Sequence, residues 1–355
     1  MHNSRAAVLV AAPYPPPVHG FAVIMSAMAN VIEQQASVVR VDLAAERGSR
    51  IATHMAQIWR CLAGCVAILR HRLRGGRVSA IGVNGGLGQI YTIALTLTAR
   101  SCGQQIMLHH HSYLYINRHS KMMMILLAIT GTEAIHVFLS ETMAGAFRTR
   151  YRCEIRHDIL NNAMFVPASN MPRTKNQRPV AGLLSNLSYE KGLHDFLALA
   201  HRAKSEGINM DFVLAGPAKL EEDRTLIERA VIAGEVTWHG PLYGDAKQAF
   251  YAGIDLLVFP TRYEFEAQPT IIYEAFAVGT PALSIDRGTI REQLQDCLMA
   301  ITADEDFVET SIPVLQRIAV MDEVGRKNLS DRAKSLHAES TRAGQETIQR
   351  LFWAG

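Results

Sequence analysis

Two carboxylates eight positions apart, Glu266 and Glu274, frame the chemistry of the stretch DLLVFPTRYEFEAQPTIIYEAFAVGTPA, which runs from Asp255 to Ala282. The stretch opens with an apolar run, Leu256 to Phe259, of the kind that makes a strand buried on both faces, and Pro260 with Thr261 stops it. A charged loop follows. Pro269 then stands where the first turn of a helix tolerates a missing N–H, and Ile271, Ile272, Ala275 and Phe276 supply a helical apolar stripe that Gly279 ends. Strand, loop and helix in this order bring a helix N-terminus, with free N–H groups and the positive end of its dipole, to the carboxyl edge of a parallel sheet. That is a place for an anion. Each carboxylate alone also has a structural use, completing a cap or meeting the dipole.

Taken together the residues say more. Glu-x7-Glu after a strand ending in Phe-Pro, with Gln-Pro-Thr between and Glu-Ala-Phe-Ala-x-Gly-Thr-Pro after, resembles the donor-site signature of retaining glycosyltransferases of family 4. The resemblance implies that Glu266 bonds hydroxyls of a donor sugar and that Glu274 holds the ribose. Between them, the backbone at Ala267, Gln268, Pro269 and Thr270 is then expected to meet the diphosphate.

Further elements fit the same pattern. A strand, then Ser185 and Asn186, then Glu190-Lys191-Gly192 before an amphipathic helix, resemble the family's Gly-Arg-Leu-x-x-x-Lys-Gly element, whose Arg and Lys neutralise the diphosphate. Lys191 matches, whereas Asn186 stands at the Arg position and brings a donor without a charge. Arg262, beside the Glu-x7-Glu loop, is a candidate to compensate. The runs FVLAGP and VTWHGPL resemble strand-end loops that cradle the nucleotide base, with Gly216 and Gly240 admitting close backbone approach.

Near the start, Gly20 stands at the mouth of a helix with an apolar face of Ile24, Met28 and Ile32, where the family carries a loop over the donor phosphates; a turn glycine is the plainer account. In the run His109, His110, His111, a strand would put the first and third on one face and the second on the other, so the three cannot converge on one metal. The resemblance gives His111 the place of the family's histidine close to the donor sugar. Asp304 to Asp306 read as a helix cap rather than a metal site, and neither metal nor cofactor is expected beyond the donor itself.

The elements that must position these residues alternate between strand and helix patterns. That alternation argues for doubly wound parallel sheets. Strands are expected near 6–12, 37–42, 78–83, 105–110, 134–139 and 156–160, and again near 180–184, 210–215, 235–238, 255–259, 281–285 and 298–302, with helices after about 304. The polar segment 167–178 is the candidate linker. The expected fold is therefore α/β: two Rossmann-like doubly wound domains facing across a cleft, the arrangement called GT-B that the resemblance implies. The expected division is 1–170 for an acceptor domain and 171–338 for a donor domain, with 339–355 as a helix packing back toward the first.

Composition bounds the partners. A length of 355 residues suits two domains, and a net charge of +3 is too small to argue for nucleic acid. Five cysteines without a Cys-x-x-Cys pair suit a reducing compartment. The start, an apolar strand followed by prolines, is expected to carry no export signal, and the apolar stretches 122–131 and 87–99 fall short of a membrane span. Helix 51–73 and the loop after it interleave Arg60, Arg70, Arg72, Arg74 and Arg77 with leucines and valine. Such a helix either rests on an anionic membrane or presents a solvated face.

The resemblance as a whole implies a retaining transferase. It would move a hexosyl or N-acetylhexosaminyl group from a nucleoside diphosphate sugar to a hydroxyl of a glycan or lipid-linked acceptor, in bacterial cell-surface polysaccharide biosynthesis. Glu266, His111 and Lys191 are the candidate catalytic residues, and the cytoplasm, including the inner face of its membrane, is the expected location. The rival readings are a nucleotide-sugar epimerase on the same fold and a nucleotide-binding scaffold without turnover.

Overall fold

The computed structural model describes residues 7–16, 20–44, 50–297, 300–301 and 306–353. The chain forms two compact units, Met1–Phe165 with Ala343–Gly355, and Val166–Arg342.

In the first unit the elements run β1 (Ala7–Ala12), α1 (Gly20–Glu33), β2 (Ser37–Asp42), α2 (Arg50–Leu73), β3 (Val78–Val83), α3 (Gln89–Ser101), β4 (Gln105–His110), α4 (Leu114–Asn117), α5 (Lys121–Thr130), β5 (Ile135–Phe138), α6 (Glu141–Tyr151) and β6 (Arg156–Ile159). The six strands lie in the order β2-β1-β3-β4-β5-β6, and all pair in parallel. Parallel strands covered by helices on both faces read as continuous apolar runs, and Val8 to Ala12 is such a run, buried throughout. Met25, Met28 and Ile32 of α1, at helical spacing, pack on Val8 and Val10. Ile348 and Leu351, near the end of the chain, fill the same core, with Phe352 and Trp353 against it.

The second unit repeats the scheme with β7 (Val180–Leu184), α7 (Leu193–Ser205), β8 (Asp211–Ala215), α8 (Glu221–Ile232), β9 (Thr237–Trp238), α9 (Gly244–Gly253), β10 (Leu256–Phe259), α10 (Thr270–Val278), β11 (Ala282–Ile285), α11 (Ile290–Leu294), β12 (Ala300–Ile301) and α12 (Phe307–Ala319). Its parallel sheet has the order β12-β11-β10-β7-β8-β9. The long helix α13 (Glu323–Phe352) follows.

Each expected strand is present, its described ends no more than two residues from the expected ones, and residue 6 of the first lies outside the described residues. Residues 298, 299 and 302 of the last one lie outside the described residues, as do Asp304 and Glu305. Asp306 caps α12, its Oδ1 accepting from the N–H groups of Val308 and Glu309 at 3.0 and 3.2 Å. Lys121–Thr130 is too short to cross a membrane, as expected, whereas Ala52–Leu73, within α2, is long and apolar enough by length and composition, which the sequence analysis did not single out as a span. Arg70 and Arg72 stand in its last turn, and no charged residue lies between Arg60 and Arg70.

Candidate active site

All strands of the second sheet point the same way, so their carboxyl ends share one edge. The chain moves outward from β7 through β8 to β9, then returns to β10 on the other side of β7. At such a reversal the flanking loops diverge and leave a crevice. The loops that follow β7 and β10 meet there and are stitched together: Arg262 N–H donates to the Glu190 carbonyl at 2.9 Å, and Thr261 Oγ1 does so at 3.4 Å. Gly192 makes the approach possible. Its φ is +82°, and a Cβ would overlap the Pro260 carbonyl.

The stitching brings Lys191 Nζ to 2.6 Å from Glu266 Oε2, and Thr261 Oγ1 donates to the same oxygen at 3.3 Å. Lys191 also stands 4.8 Å over the Tyr263 ring. The Glu266 side chain is only 12% exposed, so its charge faces the ammonium rather than bulk water.

Helix α10 begins just beyond. Pro269 is its N-cap, with φ −65° and ψ 123°, one position outside the first turn that its sequence suggests, and no side chain caps this end. A proline donates nothing and accepts nothing through its side chain, so the first N–H groups of the helix keep their polarity for a ligand. The loop after β11 braces this end from behind. Thr289 donates through both its N–H and its Oγ1 to the Ala267 carbonyl, at 2.9 and 3.0 Å, and Gln293 Nε2 donates to the Pro269 carbonyl at 3.2 Å. Gly288, at φ +57°, lies so close under Glu266 and Ala267 that a Cβ would overlap both carbonyl oxygens.

Glu274 sits one turn into α10. Its Oε1 meets Lys247 Nζ at 2.7 Å and its Oε2 accepts from Tyr251 OH at 3.0 Å, both partners coming from α9. Burial, with the Glu274 charge adding to it, pushes the Tyr251 hydroxyl well above the ordinary tyrosine range, so it remains a donor.

The ends of β8 and β9 close the edge. Gly216, at φ +122°, donates its N–H to the Gly240 carbonyl at 2.7 Å, and Trp238 Nε1 donates to the Gly216 carbonyl at 3.1 Å. A Cβ at Gly216 would overlap the Ser185 carbonyl oxygen, which brings the loops after β7 and β8 into backbone contact. Asn186 is exposed in the first of these. Arg262 does not compensate for it. Asp195 of α7 holds that guanidinium in two bonds of 2.6 Å each, so its charge is already matched inside the protein.

In the first unit, Gly20 opens α1 with nothing within 4 Å of where a Cβ would stand, so no clash demands glycine there. Phe21 beside it packs on His111, ring centroids 4.7 Å apart. His109 and His111 stack at 4.5 Å, while His110 turns the other way to bond Tyr115 OH at 2.9 Å and His136 Nδ1 at 3.0 Å. Burial, with His109 adjacent, lowers the pKa of His111 well below the ordinary value and keeps its ring neutral. Among the described residues no three His, Cys, Asp or Glu side chains are grouped to hold a metal ion.

Residues 169–310 match the family model described as glycosyl transferases group 1. Over that stretch the chain is similar to the glycosyl transferases group 1. Its match spans β7 to the first turn of α12 and includes Lys191, Gly216, Gly240, Glu266 and Glu274.

The chain is 30% identical over 158 residues to a GDP-mannose-dependent alpha-mannosyltransferase of Mycolicibacterium smegmatis, covering 42% of this chain and 38% of that protein. It is 31% identical over 119 residues to a 2-deoxystreptamine N-acetyl-D-glucosaminyltransferase of Streptomyces fradiae, covering 32% and 28%. It therefore aligns with well under half the length of either relative. In fold it is similar to Anabaena HepE in complex with UDP-glucose, at 14% identity and a TM-score of 0.69, over 97% of this chain and 99% of that one. Both units thus take the α/β fold of GT-B proteins.

Within residues 169–310, sequence reasoning missed the bracing residues Gly288, Thr289 and Gln293 and the Glu274 partners Lys247 and Tyr251. One signal was available: Gly288-Thr289 follows a strand, as Gly216 and Gly240 do. Lys247 carried none, because a lysine on an exposed helix has the type and spacing of a surface charge.

Proposed function

We propose that this protein transfers a sugar from a nucleoside diphosphate sugar to a hydroxyl, with retention of configuration at the anomeric carbon. The observation that carries the reading is the Lys191–Glu266 pair beside the side-chain-free N-terminus of α10. A diphosphate seated at this crevice takes the Lys191 ammonium and the first N–H groups of α10, while Glu266, released from the lysine, accepts from hydroxyls of the sugar. Glu274, held by Lys247 and Tyr251, accepts from the ribose hydroxyls. The Gly216–Gly240 contact keeps the neighbouring loop low enough for a base to lie over its backbone.

In the reaction the bond between the anomeric carbon and the phosphate oxygen breaks as the acceptor oxygen bonds that carbon on the same face. The acceptor proton passes to the departing phosphate oxygen. Negative charge grows on the diphosphate, where a fixed ammonium and oriented N–H groups stabilise it most. The roles given above to Gly20, Asn186 and His111 belong to the same reading. So do a glycan or lipid-linked acceptor, a part in bacterial cell-surface polysaccharide synthesis, and action at the inner face of the cytoplasmic membrane.

The names of the two relatives, a mannosyl and an N-acetylglucosaminyl transferase, support a hexosyl or N-acetylhexosaminyl group. The test is turnover of UDP-glucose, GDP-mannose and UDP-N-acetylglucosamine with simple glycoside acceptors, followed by the anomeric proton of the product. A product with the donor's own configuration supports the proposal, and an inverted product refutes it. A second reading rests on Asn186, exposed where the family has a cation: a scaffold that binds nucleotide without turnover, which nucleotide binding with no product from any donor would favour.

A further inference from the structure

The first unit carries a surface that the transfer reading does not use. Helix α2 has two apolar stripes. Cys61, Gly64, Ile68 and His71 face inward, and a Cβ at Gly64 would already press on Leu95 of α3 and Val41 of β2. On the opposite flank Met55, Trp59, Leu62, Val66, Leu69 and Leu73 recur at intervals of three and four and are exposed, Trp59 by 69% and Leu73 by 87%. Helix α3 packs against both α2 and α5, so the three form one layer. Ile90 on α3 and Ile125 on α5 add exposed apolar surface to it. A soluble protein rarely leaves so large an apolar face to water without an occupant.

Charge identifies the occupant. From Arg47 to Thr132 the sequence contains ten Lys and Arg and no Asp or Glu. Asp42, at the end of β2, is paired with Arg60. Arg72 donates to the Cys102 carbonyl at 2.9 Å, a neutral acceptor that leaves its charge uncompensated, and Arg70, Arg74 and Arg77 are exposed.

A second copy of this chain would set arginines against arginines. Nucleic acid would satisfy the arginines but leave the leucines and Trp59 wet. An anionic bilayer surface supplies phosphates for the cations and an acyl boundary for the apolar stripe, and tryptophan is suited to that boundary. We infer that α2, with the adjoining faces of α3 and α5, docks this protein flat on an anionic phospholipid surface, the stripe from Met55 to Leu73 lying in the headgroup region. The inward stripe, held on the sheet, keeps the helix in the plane instead of across the bilayer. Because α2 leaves the sheet at the carboxyl end of β2, its Trp59 end lies at the same sheet edge as Gly20. A lipid-borne acceptor would be presented there. The inference stands on surface chemistry alone and holds whether or not sugar transfer is confirmed.

The experiment is flotation of the purified full chain with phosphatidylcholine vesicles, with and without phosphatidylglycerol. Binding is expected only when the anionic lipid is present, falling as salt rises because exposed charges are screened. Arg70→Gln with Arg72→Gln and Arg74→Gln should weaken it roughly hundredfold, at about tenfold or less per arginine. Leu62→Gln with Leu69→Gln should abolish it at concentrations where the wild type floats. Both sets change exposed side chains, and an unaltered melting temperature shows that they fold. Equal binding to neutral vesicles overturns the inference, as does unchanged binding by the leucine variant. Retention on the vesicles through an alkaline carbonate wash overturns docking in the plane. A stable dimer in lipid-free buffer that the leucine substitutions dissociate assigns the face to a second copy instead.

Discussion

Lys191 Nζ and Glu266 Oε2 stand 2.6 Å apart across the two loops that flank the sheet's reversal point. The contact is the product of long-range packing, since 75 residues separate the partners and the glycine between Lys191 and α7 is what lets the loops close. On the proposed reading, a donor diphosphate must replace this pairing. The lysine is therefore held in place before the ligand arrives, at the cost of breaking one ion pair when it does. Lys191→Met removes a charge-assisted bond to phosphate worth about 1.5–3 kcal/mol, and nucleoside diphosphate affinity should fall by at least about tenfold. Titration calorimetry of both proteins checks this, and equal affinities would leave Lys191 as a structural partner of Glu266 only.

Two glycines of the proposed site differ in what they tolerate. At Gly216 a Cβ overlaps backbone and φ is +122°, so Gly216→Ala should destabilise the second unit by about 1–3 kcal/mol or more. At Gly20 there is open space and no positive φ is recorded, so Gly20→Ala should alter stability by less than about 0.5 kcal/mol. If a phosphate approaches Gly20 it should nevertheless lower turnover. Urea denaturation separates the two, and a Gly20→Ala enzyme of full activity would return that residue to the role of a plain turn.

Thr289→Val keeps the backbone bond to the Ala267 carbonyl and deletes the one from Oγ1. One neutral hydrogen bond contributes about 0.5–1.5 kcal/mol, so a modest fall in stability is expected. The larger effect should be on kcat, because Ala267 is backbone of the loop that presents Glu266 and the start of α10. A fall in stability with kcat unchanged would show that the brace does not position the loop.

The buried histidines make the first unit acid-sensitive. Burial lowers the pKa of His109 to about 3 and of His136 to about 4, the latter helped by His157. Folded, these rings stay neutral where an unfolded chain, titrating near about 6.5, binds protons. The folded state thus binds fewer protons, and its stability is full above the unfolded value and declines as pH falls from there toward the folded values. Each such ring contributes a slope of about 1.4 kcal/mol per pH unit in that window. Neither nitrogen of His109 has a hydrogen-bond partner among the described residues, so His109→Leu should flatten the decline by about one proton without leaving a partner unpaired. Urea midpoints at about pH 7 and about pH 5 measure the slope, and an unchanged slope would mean that His109 titrates normally.

The strands and the paired carboxylates were legible because both are local. Leu256 to Phe259 announces a buried strand in four residues, and the spacing of Glu266 and Glu274 spans a single loop and helix turn. What was hidden depends on contacts far apart in the chain. Arg262 lies beside the Glu-x7-Glu loop in sequence, yet Asp195, 67 positions away, neutralises it. Lys247 reaches Glu274 from 27 positions away, and Thr289 reaches Ala267 from 22. Helix α2 shows a different limit. Both of its stripes are apolar, and periodicity alone does not say which one the sheet will cover.

The most direct test of the donor site is thermal unfolding against a panel of nucleoside diphosphates, on the wild type and on Lys191→Ala and Glu274→Ala. A ligand at a hundredfold over its dissociation constant stabilises the folded state by about 2.7 kcal/mol. One diphosphate should raise the wild-type melting temperature, and both substitutions should reduce or remove that rise. No shift with any member of the panel, or the same shift in all three proteins, would contradict the donor site built on Lys191, Glu266 and Glu274.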